Sequence, residues 1–494
     1  MGWVSRLDRQ VFARVAAAHP PGIQAVLPRL SRAADRSRLW LATAAAFAAT
    51  GDRTARRAAV RGVGSLALAS LVTNLAVKYV SSRERPHLDA VPLARRLSRQ
   101  PRSTSFPSGH AAAAAAFATG VALESPRRGL LVAPVAAAVA GSRVYVGVHY
   151  PADVLAGALI GVGAALTTRR WLPRRPPVGA FAHRRAAAPA LPGGAGLVVV
   201  VNSGAGGGAS TAGDRIRKLL PDAEVVEPTH DDDLDAVLAA AADRARALGV
   251  CGGDGTVNAA AAHAVERGLP LAVFPGGTLN HFALDTGIPG FAETAEAVTA
   301  GEAVDVDVAR IRPAAGAAGP PTYFLNTFSI GIYPELVQAR EELRERTRLG
   351  AWGKWPSAAV SLVRVLATAE PFDVALNGRP LRLWLLFAGN GIYSGEGSAP
   401  AHRTQLDDGL LDVRAVTADR PLARTRLALA ALTGTLAHSR AHTAGRLRRL
   451  RITELSDGGP LAYDGETAAA PRDLVLDKHP SPLAVYRPLP ADEW

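Results

Sequence analysis

The sequence predicts a multi-domain protein, with an all-α helix bundle first, an α/β lobe second and an antiparallel β-rich lobe last. Apolar runs punctuated by Arg and Pro fill the first third of the chain, and strands that end in glycine-rich turns follow it. Because 494 residues are too many for one ordinary core, we place domains at 1–171, 197–302 and 303–494. A Pro/Arg-rich stretch without periodicity, 172–196, is predicted to be a linker.

The apolar runs of the first domain are short and rich in alanine. They are Leu39–Thr50, Val63–Val80, His110–Leu123, Leu130–Ala140 and Val154–Thr167. A helix that spans a bilayer needs about 20 apolar residues, so hydropathy alone leaves the buried helices of a soluble bundle as an alternative. Short basic loops alternate with the runs and favour a membrane helix bundle. No cleavable signal peptide is expected, since His19-Pro20-Pro21 interrupts the first mildly apolar stretch.

The charge balance is basic, with 56 Lys and Arg against 43 Asp and Glu, a net charge of +13. This charge suits an anionic partner such as a phospholipid surface, a phosphorylated substrate or nucleic acid, although a genomic bias towards Arg is equally consistent. We predict no nucleic-acid partner, because the chain lacks the mixed aromatic and basic platform that single strands need. The single cysteine, Cys251, excludes an intramolecular disulfide and is predicted to be a buried apolar residue.

Three polar clusters in the first domain carry residues suited to phosphate chemistry. They are Lys78 with Arg85-Pro86, then Pro107-Ser108-Gly109-His110, then Arg143 with His149 and Asp153. Lys78, Arg85 and Arg143 can hold the oxygens of a phosphoryl group. Backbone N–H groups of Ser108 and Gly109, where a helix begins, add donors to the same anion.

Two histidines and one carboxylate remain for the chemical steps. His149 is predicted to be the nucleophile that forms a phosphohistidine, and Asp153, one helical turn later, to hold its other ring nitrogen. His110 is then the acid that protonates the leaving alkoxide and the base that activates water.

In order and internal spacing these clusters resemble the three-part signature of the type 2 phosphatidic acid phosphatase superfamily. The resemblance covers about the first third of the chain. It implies a helical membrane core, dephosphorylation without a cofactor, and a lipid phosphate or prenyl diphosphate as substrate. Vanadium-dependent haloperoxidases share this anion site and are a formal alternative.

The order of the runs also predicts a topology. Alternating crossings put all three clusters on one membrane face, and the positive-inside rule places the opposite loops in the cytoplasm. Those loops carry Arg53, Arg56, Arg57 and Arg61, then Arg127 and Arg128, then Arg169, Arg170, Arg174 and Arg175. The first site is therefore expected to be extracytoplasmic and the rest of the chain cytoplasmic.

The second domain contains three glycine-rich turns, each directly after an apolar strand. The first follows Leu197–Val201 and includes Asn202, Gly204 and Gly206. The second is Gly252-Gly253-Asp254-Gly255-Thr256, and the third includes Gly277, Thr278 and Asn280. Bare backbone N–H groups at strand ends and helix starts can approach a triphosphate, so these turns predict a nucleotide crevice.

The second and third turns, with Asn280-His281-Phe282-Ala283, resemble the diacylglycerol kinase catalytic domain family. The match continues through Asn326, Gly331, Asp408-Gly409-Leu410 and Asp464-Gly465-Glu466, and it departs at Ser203, where the family has proline. The resemblance implies that Asp254 and its neighbouring glycines bind ATP and Mg²⁺, and that Asp464 and Glu466 lie near the substrate hydroxyl.

Some assignments in this half stay open. Either Glu466 or Asp464 is predicted to be the base that accepts the alcohol proton. Asp407 and Asp408 are predicted to hold a structural Mg²⁺ or, equally well, to close a plain turn. NAD kinases share the Gly-Gly-Asp-Gly turn and are the nearest rival, which the Gly277–Ala283 stretch disfavours.

Together these observations predict a bifunctional membrane enzyme, a lipid phosphate phosphatase joined to an ATP-dependent lipid kinase. The expected partners are ATP and membrane lipids such as phosphatidate, diacylglycerol or prenyl phosphates. The alternative is that one half is active and the other is a lipid-sensing or docking module.

Overall fold

The chain forms two compact units, Met1–Arg174 and Arg175–Trp494. The computed structural model describes residues 3–18, 22–50, 53–77, 83–97, 100, 103–172, 179–202, 209–229, 231–277, 280–314, 319–332, 370–394, 402–419, 424–426, 430, 433, 435, 439, 441–456, 460–479 and 482–489. Four predicted site residues lie outside these ranges: Lys78, Gly204, Gly206 and Thr278.

The first unit is helical, as predicted. Its helices are α1 Trp3–Ala17, α2 Ile23–Ala33, α3 Arg38–Ala49, α4 Arg53–Leu71, α5 Gly109–Glu124, α6 Pro126–Tyr145 and α7 Pro151–Thr167. Helix α4 continues into a π-helical turn, Val72–Val77. The described residues of all five apolar runs are almost entirely helical, whereas α1 and α2 precede the first run and hydropathy did not predict them.

Helix α5 lies at the centre of this unit. Its six consecutive alanines favour a helix, and the Ser108 hydroxyl caps its first turn by accepting from the Ala111 N–H. Gly120 lets α4 approach closely, because a Cβ there would lie 2.9 Å from the Arg61 carbonyl oxygen. This close approach lies near the end of α5, whereas its start carries three predicted site residues, Ser108, Gly109 and His110.

One helix in the described part of the chain, Pro151–Arg170, is long and apolar enough to cross a membrane. One third of its apolar window is buried inside the protein. This helix comprises α7 and the 3-10 turn Thr168–Arg170 that follows it.

The prediction of a basic loop at Arg53–Arg61 is wrong, because these residues form the first turns of α4. Arg61 is completely buried and lies 2.5 Å from Glu124 at the other end of α5, and Arg57 pairs with the same carboxylate. The Glu124 carboxylate therefore neutralises the charges of Arg57 and Arg61, which the sequence pattern had placed in a loop.

The second unit contains a six-stranded sheet. Its strands are β1 Leu197–Val201, β2 Glu224–Val226, β3 Ala247–Gly252, β4 Leu271–Pro275, β5 Ala303–Val306 and β17 Leu483–Tyr486. They lie in the order β2-β1-β3-β4-β17-β5. Its helices are α8 Ala209–Leu219, α9 Leu234–Arg244, α10 Asp254–Arg267, α11 His281–Asp285 and α12 Phe291–Ala300. Strands β1, β3 and β4 are parallel neighbours and are buried along their whole length, as expected for a sheet covered on both faces.

The remaining strands form an eleven-stranded sheet whose pairings are antiparallel, as predicted. They are β6 Ala309–Pro313, β7 Thr322–Phe324, β8 Thr327–Gly331, β9 Phe372–Leu376, β10 Arg379–Asn390, β11 Leu411–Thr417, β12 His442–Leu447, β13 Arg449–Thr453, β14 Pro460–Tyr463, β15 Glu466–Ala469 and β16 Leu474–Lys478. The main path runs β15-β14-β8-β10-β9-β13-β16-β6-β7, and β11 joins β10 to β12.

Two domain boundaries in the structure differ from those predicted from the sequence. Strands β5 and β17 belong to the six-stranded sheet, although both fall inside the predicted β-rich domain 303–494. Residues 179–196 of the predicted linker pack on the second unit, with Leu191 fully buried and hydrogen-bonded to the Val298 carbonyl. Local composition does not reveal either pairing, because the partner of each segment is distant in sequence.

Candidate active sites

The second and third polar clusters of the helical unit meet where α5 and α7 begin. The Ser108 N–H donates to the Asp153 carbonyl oxygen at 2.9 Å. Gly157 of α7 faces the Ser108 carbonyl so closely that a Cβ would collide with it. The two helix starts therefore lie side by side, and the Ser108 N–H, which was predicted to bind the phosphate, is bonded to the protein instead.

Arg85 joins the first cluster to the third. Its Nη1 lies 2.7 Å from the Val148 carbonyl oxygen and 3.4 Å from His149 Nε2. Its Nε donates to the Ser103 carbonyl at 2.9 Å. These contacts hold the guanidinium beside the predicted nucleophile, where it can bind phosphoryl oxygens.

His149 lies in the short connection between α6 and α7 and is almost fully buried. Its N–H donates to the Arg143 carbonyl oxygen at 3.2 Å, so the backbone places these two residues together. Burial lowers the pKa of the His149 imidazole, and the Arg85 and Arg143 charges add to that effect while Asp153 opposes it. A neutral imidazole, which a nucleophile needs, is thereby favoured.

The predicted contact between His149 and Asp153 is present but long. Nδ1 of His149 lies 3.8 Å from Asp153 Oδ2, which exceeds a hydrogen bond. That carboxylate oxygen instead accepts from the Ser105 hydroxyl and from the Tyr150 N–H, the latter at 2.9 Å. Asp153 thus faces the correct ring nitrogen while it is bonded to other groups.

His110 lies in the first turn of α5, two residues after Ser108, whose N–H binds the Asp153 carbonyl, and its Nε2 lies 2.9 Å from Asp35. The structure therefore brings together the two imidazoles and two of the three predicted phosphate-binding side chains, those of Arg85 and Arg143.

Four polar residues around this site were missed by sequence reasoning. Arg83 bonds to Asp153 at 2.7 Å and also to Asp8 of α1. Ser31 of α2 accepts from Arg143, and Asp35 lies 2.9 Å from His110 Nε2. Arg83 is two residues before Arg85 and could have been considered, whereas nothing in the sequence linked residues 8, 31 and 35 to the motifs.

In the second unit the ends of three parallel strands carry the glycine turns. Val201 pairs with Cys251, and Gly252 pairs with Pro275, so the strands end at one edge of the sheet. Asn202 bonds to the Cys251 carbonyl through its N–H and to the Thr256 hydroxyl through its side chain, at 2.9 and 3.0 Å. The structure therefore places Asn202, where the first predicted turn begins, next to the second turn.

The second and third turns are in contact through their backbones. A Cβ on Gly277 would lie 2.5 Å from Gly253 Cα and 2.7 Å from Asn280 Oδ1. Asp254 begins α10 and accepts from the Phe282 N–H at 3.1 Å, which ties the two turns together. Only glycine permits this approach.

The Asp464-Gly465 turn separates the two candidate bases. Both residues have positive φ values, 46° and 94°, and they form a two-residue hairpin between Tyr463 and Glu466. Asp464 is buried and accepts three backbone N–H groups, from Leu325, Asn326 and Thr327, at 2.6 to 2.9 Å. Burial raises the pKa of its carboxyl to about 6, against the lowering effect of these donors.

Glu466 is exposed, and its Oε1 lies 2.8 Å from the position that a Cβ on Gly255 would take. It therefore reaches the second glycine turn. The geometry favours Glu466 over Asp464 as the group that meets a substrate, because the Asp464 oxygens are engaged with the backbone.

Asp408 closes the predicted turn by accepting from the Leu410 N–H, whereas Asp407 binds the distant segment at His183. Asp407 accepts from the His183 N–H at 2.8 Å, and Asp408 accepts from the N–H groups of Ile392 and Leu410 at 2.7 and 2.8 Å. Within the described ranges no three His, Cys, Asp or Glu residues are grouped to hold a metal ion. Mg²⁺ in phosphoryl-transfer sites takes one or two carboxylates and substrate phosphates, a requirement that Asp254 fits.

Comparison with known proteins matches one segment in each unit to a family model. Residues 58–177 match the model of the PAP2 superfamily, and residues 196–311 match that of the diacylglycerol kinase catalytic domain. Decaprenylphosphoryl-5-phosphoribose phosphatase of Mycolicibacterium smegmatis is 36% identical over 151 residues, 30% of this chain and 78% of that protein.

A probable lipid kinase, YegS-like, of Klebsiella pneumoniae is 29% identical over 176 residues, 34% of this chain and 55% of that protein. The chain thus matches little more than half of this kinase relative. A crystal structure of a putative diacylglycerol kinase from Bacillus anthracis has 22% identity and a TM-score of 0.43, over 59% of this chain and 96% of that one. The 36% identity over 78% of that phosphatase shows that the chain belongs to the PAP2 superfamily through its first unit, and residues 196–311 match a diacylglycerol kinase catalytic domain.

Proposed function

We propose that this chain is a bifunctional membrane enzyme that removes phosphate from one lipid and transfers phosphate from ATP to another. Phosphate removal is supported by four side chains near the starts of α5 and α7, those of Arg85, His110, Arg143 and His149. The contact between the second and third glycine turns beside Glu466 supports phosphate transfer.

In the phosphatase half, Arg85 and Arg143 hold the phosphoryl oxygens while Nε2 of His149 attacks phosphorus. The bond to the leaving alkoxide breaks, and His110 protonates that oxygen. His110 then takes a proton from water as the water oxygen attacks phosphorus and the phosphorus–nitrogen bond breaks. Lys78, as a third phosphate ligand, remains part of this proposal.

In the kinase half, the glycine turns and the N-terminus of α10 bind the ATP phosphates. Mg²⁺, held by Asp254 together with phosphate oxygens, would neutralise their charge when bound. Glu466 accepts the proton of the lipid hydroxyl that attacks the terminal phosphate, and Asp464 orders the backbone at 325–327.

A membrane location is supported by the outer surface of the helical unit. Large apolar side chains are exposed there, with Leu130, Leu131 and Leu159 each more than 70% accessible. Apolar residues exposed in this way suit contact with lipid tails. We propose several crossings, with the phosphatase site outside and the kinase domain in the cytoplasm.

Cysteine labelling tests this sidedness. The single native cysteine, Cys251, is buried and gives little background. An impermeant maleimide applied to intact cells should label Asp89→Cys on the motif side, and it should label Arg127→Cys only after lysis. Equal labelling of both variants before lysis would reject the proposed orientation.

For the substrates, we propose a lipid phosphate monoester for the first site and a lipid alcohol for the second. The similarity to a phosphatase of a decaprenyl-linked phosphosugar makes prenyl-linked phosphates the first to be tested, with phosphatidate next. For the kinase half, diacylglycerol is the first candidate.

Both activities can be assayed on the full-length chain in mixed micelles. Label from γ-labelled ATP should appear in a total lipid extract and disappear on chelation of Mg²⁺. Phosphate release from lipid phosphates should survive the chelator and be inhibited by vanadate, a phosphate analogue. Chelator-sensitive phosphate release would contradict the phosphohistidine scheme.

A further inference from the structure

The N-terminal segment before the matched PAP2 region contacts three residues of the phosphatase site. The family match begins at residue 58, yet Asp8 bonds to Arg83, Ser31 to Arg143 and Asp35 to His110. Each contact reaches a cationic or imidazole side chain. Asp8, Ser31 and Asp35 therefore belong to the wall of the site.

The contact between Asp35 and His110 is the one that reaches a reacting group. Asp35 Oδ1 lies 2.9 Å from His110 Nε2, within hydrogen-bond distance. The side chain of Asp35 is 52% exposed, whereas that of His110 is 25% exposed. The carboxylate thus meets the imidazole at the mouth of the site.

The backbone directly after Asp35 adopts an uncommon conformation. The two residues that follow it, Arg36 and Ser37, have positive φ values of 52° and 61°. Non-glycine residues adopt this conformation at a cost that neighbouring structure must offset. The turn between α2 and α3 presents Asp35 to His110 in spite of that cost.

We propose that Asp35 is a positioning residue for His110, and this inference rests on the proposed phosphatase function. The carboxylate accepts a hydrogen bond from the Nε2–H group, which fixes the ring orientation and assigns proton exchange to Nδ1. In the first step the Nδ1 proton passes to the leaving alkoxide as its bond to phosphorus breaks. In the second step Nδ1 regains a proton from the attacking water, and Asp35 stays ionised throughout.

A surface ion pair of this exposure contributes little to stability, so Asp35→Asn is expected to fold normally. Its effect should depend on the leaving group instead. An alkyl phosphate needs protonation of its departing oxygen, whereas a p-nitrophenyl leaving group does not. Loss of a correctly oriented acid therefore affects the first substrate and spares the second.

The experiment measures first-turnover rates of the full-length chain in mixed micelles on both substrates. For Asp35→Asn we expect the rate on the alkyl phosphate to fall about 10-fold to 100-fold. KM should stay within about 2-fold, and the rate on p-nitrophenyl phosphate within about 3-fold. Asp35→Glu should recover part of the loss, and the exposed-carboxylate control Asp89→Asn should match the wild type.

Equal losses on the two substrates, or no loss on either, would overturn the positioning role. The thermal unfolding midpoint of each variant shows whether a loss reflects misfolding. A failure of the proposed phosphatase function would give a different result. The wild type would then release no phosphate, or His149→Ala would release phosphate at the wild-type rate.

Discussion

Arg83 lies 2.7 Å from the carboxylate of Asp153, closer than the 3.8 Å that separates this carboxylate from the His149 imidazole. Asp153 is completely buried and Asp8, the second partner of Arg83, is nearly so. One partly exposed guanidinium therefore offsets two buried negative charges. In the proposed mechanism this keeps Asp153 ionised beside the nucleophile.

Arg83→Gln tests this dependence. The change removes the guanidinium from two buried carboxylates, and we expect the free energy of unfolding of the helical unit to fall by about 1–3 kcal/mol, since Arg83 is partly exposed. Thermal unfolding in detergent measures it, with Arg83→Lys as the control that keeps the charge. An unchanged unfolding midpoint for Arg83→Gln would show that Asp8 and Asp153 do not need Arg83.

The pH dependence of His149 reactivity follows from its surroundings. Its pKa is lowered from the ordinary value of 6.5, chiefly by burial, so the reactive neutral ring persists as the pH falls below that value. Carbethoxylation of His149 by diethyl pyrocarbonate, followed by peptide mass spectrometry, should show a midpoint below pH 6.5. Arg85→Gln removes a nearby positive charge and should move this midpoint upward. A wild-type midpoint at or above 6.5 would contradict the burial argument.

The two acidic residues of the Asp464-Gly465-Glu466 hairpin should respond differently to substitution. Glu466→Gln removes the proposed base, and we expect kcat of the kinase to fall about 10²-fold to 10⁴-fold with little change in the KM for ATP. Asp464→Ala removes the acceptor of three backbone N–H groups and should lower the free energy of unfolding by at least about 2 kcal/mol. Steady-state kinetics and thermal unfolding of both variants test this division. A reversed pattern would make Asp464 the base.

Gly277→Ala should separate the second and third glycine turns. The added Cβ would lie 2.5 Å from Gly253 Cα, and overpacking of this kind costs about 1–3 kcal/mol. We expect kinase kcat/KM to fall by about 10-fold to 100-fold while phosphate release is unchanged, since that loss corresponds to the same energy range. Gly445→Ala is the matched control, because no atom lies within 4 Å of its added Cβ. Equal kinase rates in the two variants would count against the crevice.

Local patterns predicted much of this architecture. The five apolar runs became helices, and Leu197–Val201 became a fully buried parallel strand because its residues are uniformly apolar and branched. Glycine turns directly after strands placed the candidate nucleotide site at one sheet edge. In each case the determining residues are neighbours in the sequence.

Contacts between distant segments could not be predicted in this way. Strand β17 inserts between β4 and β5. The Tyr323 carbonyl accepts a hydrogen bond from the side chain of Asn258, 65 residues earlier in the chain. Asp8 and Asp35 reach the phosphatase residues only through the packing of the first helices. The oxygens of Asp464 are likewise bound by a segment far from it, so its separation from Glu466 as a candidate base required the structure.

We propose that one chain carries two independent phosphate chemistries. Replacing His149 by Ala and Asp254 by Asn, in separate full-length proteins, tests it most directly when phosphate release and transfer from ATP to lipid are measured on each. We predict that His149→Ala loses phosphate release and keeps lipid phosphorylation, and that Asp254→Asn shows the reverse. If either substitution abolished both activities in a folded protein, or neither, the two-site account would be contradicted.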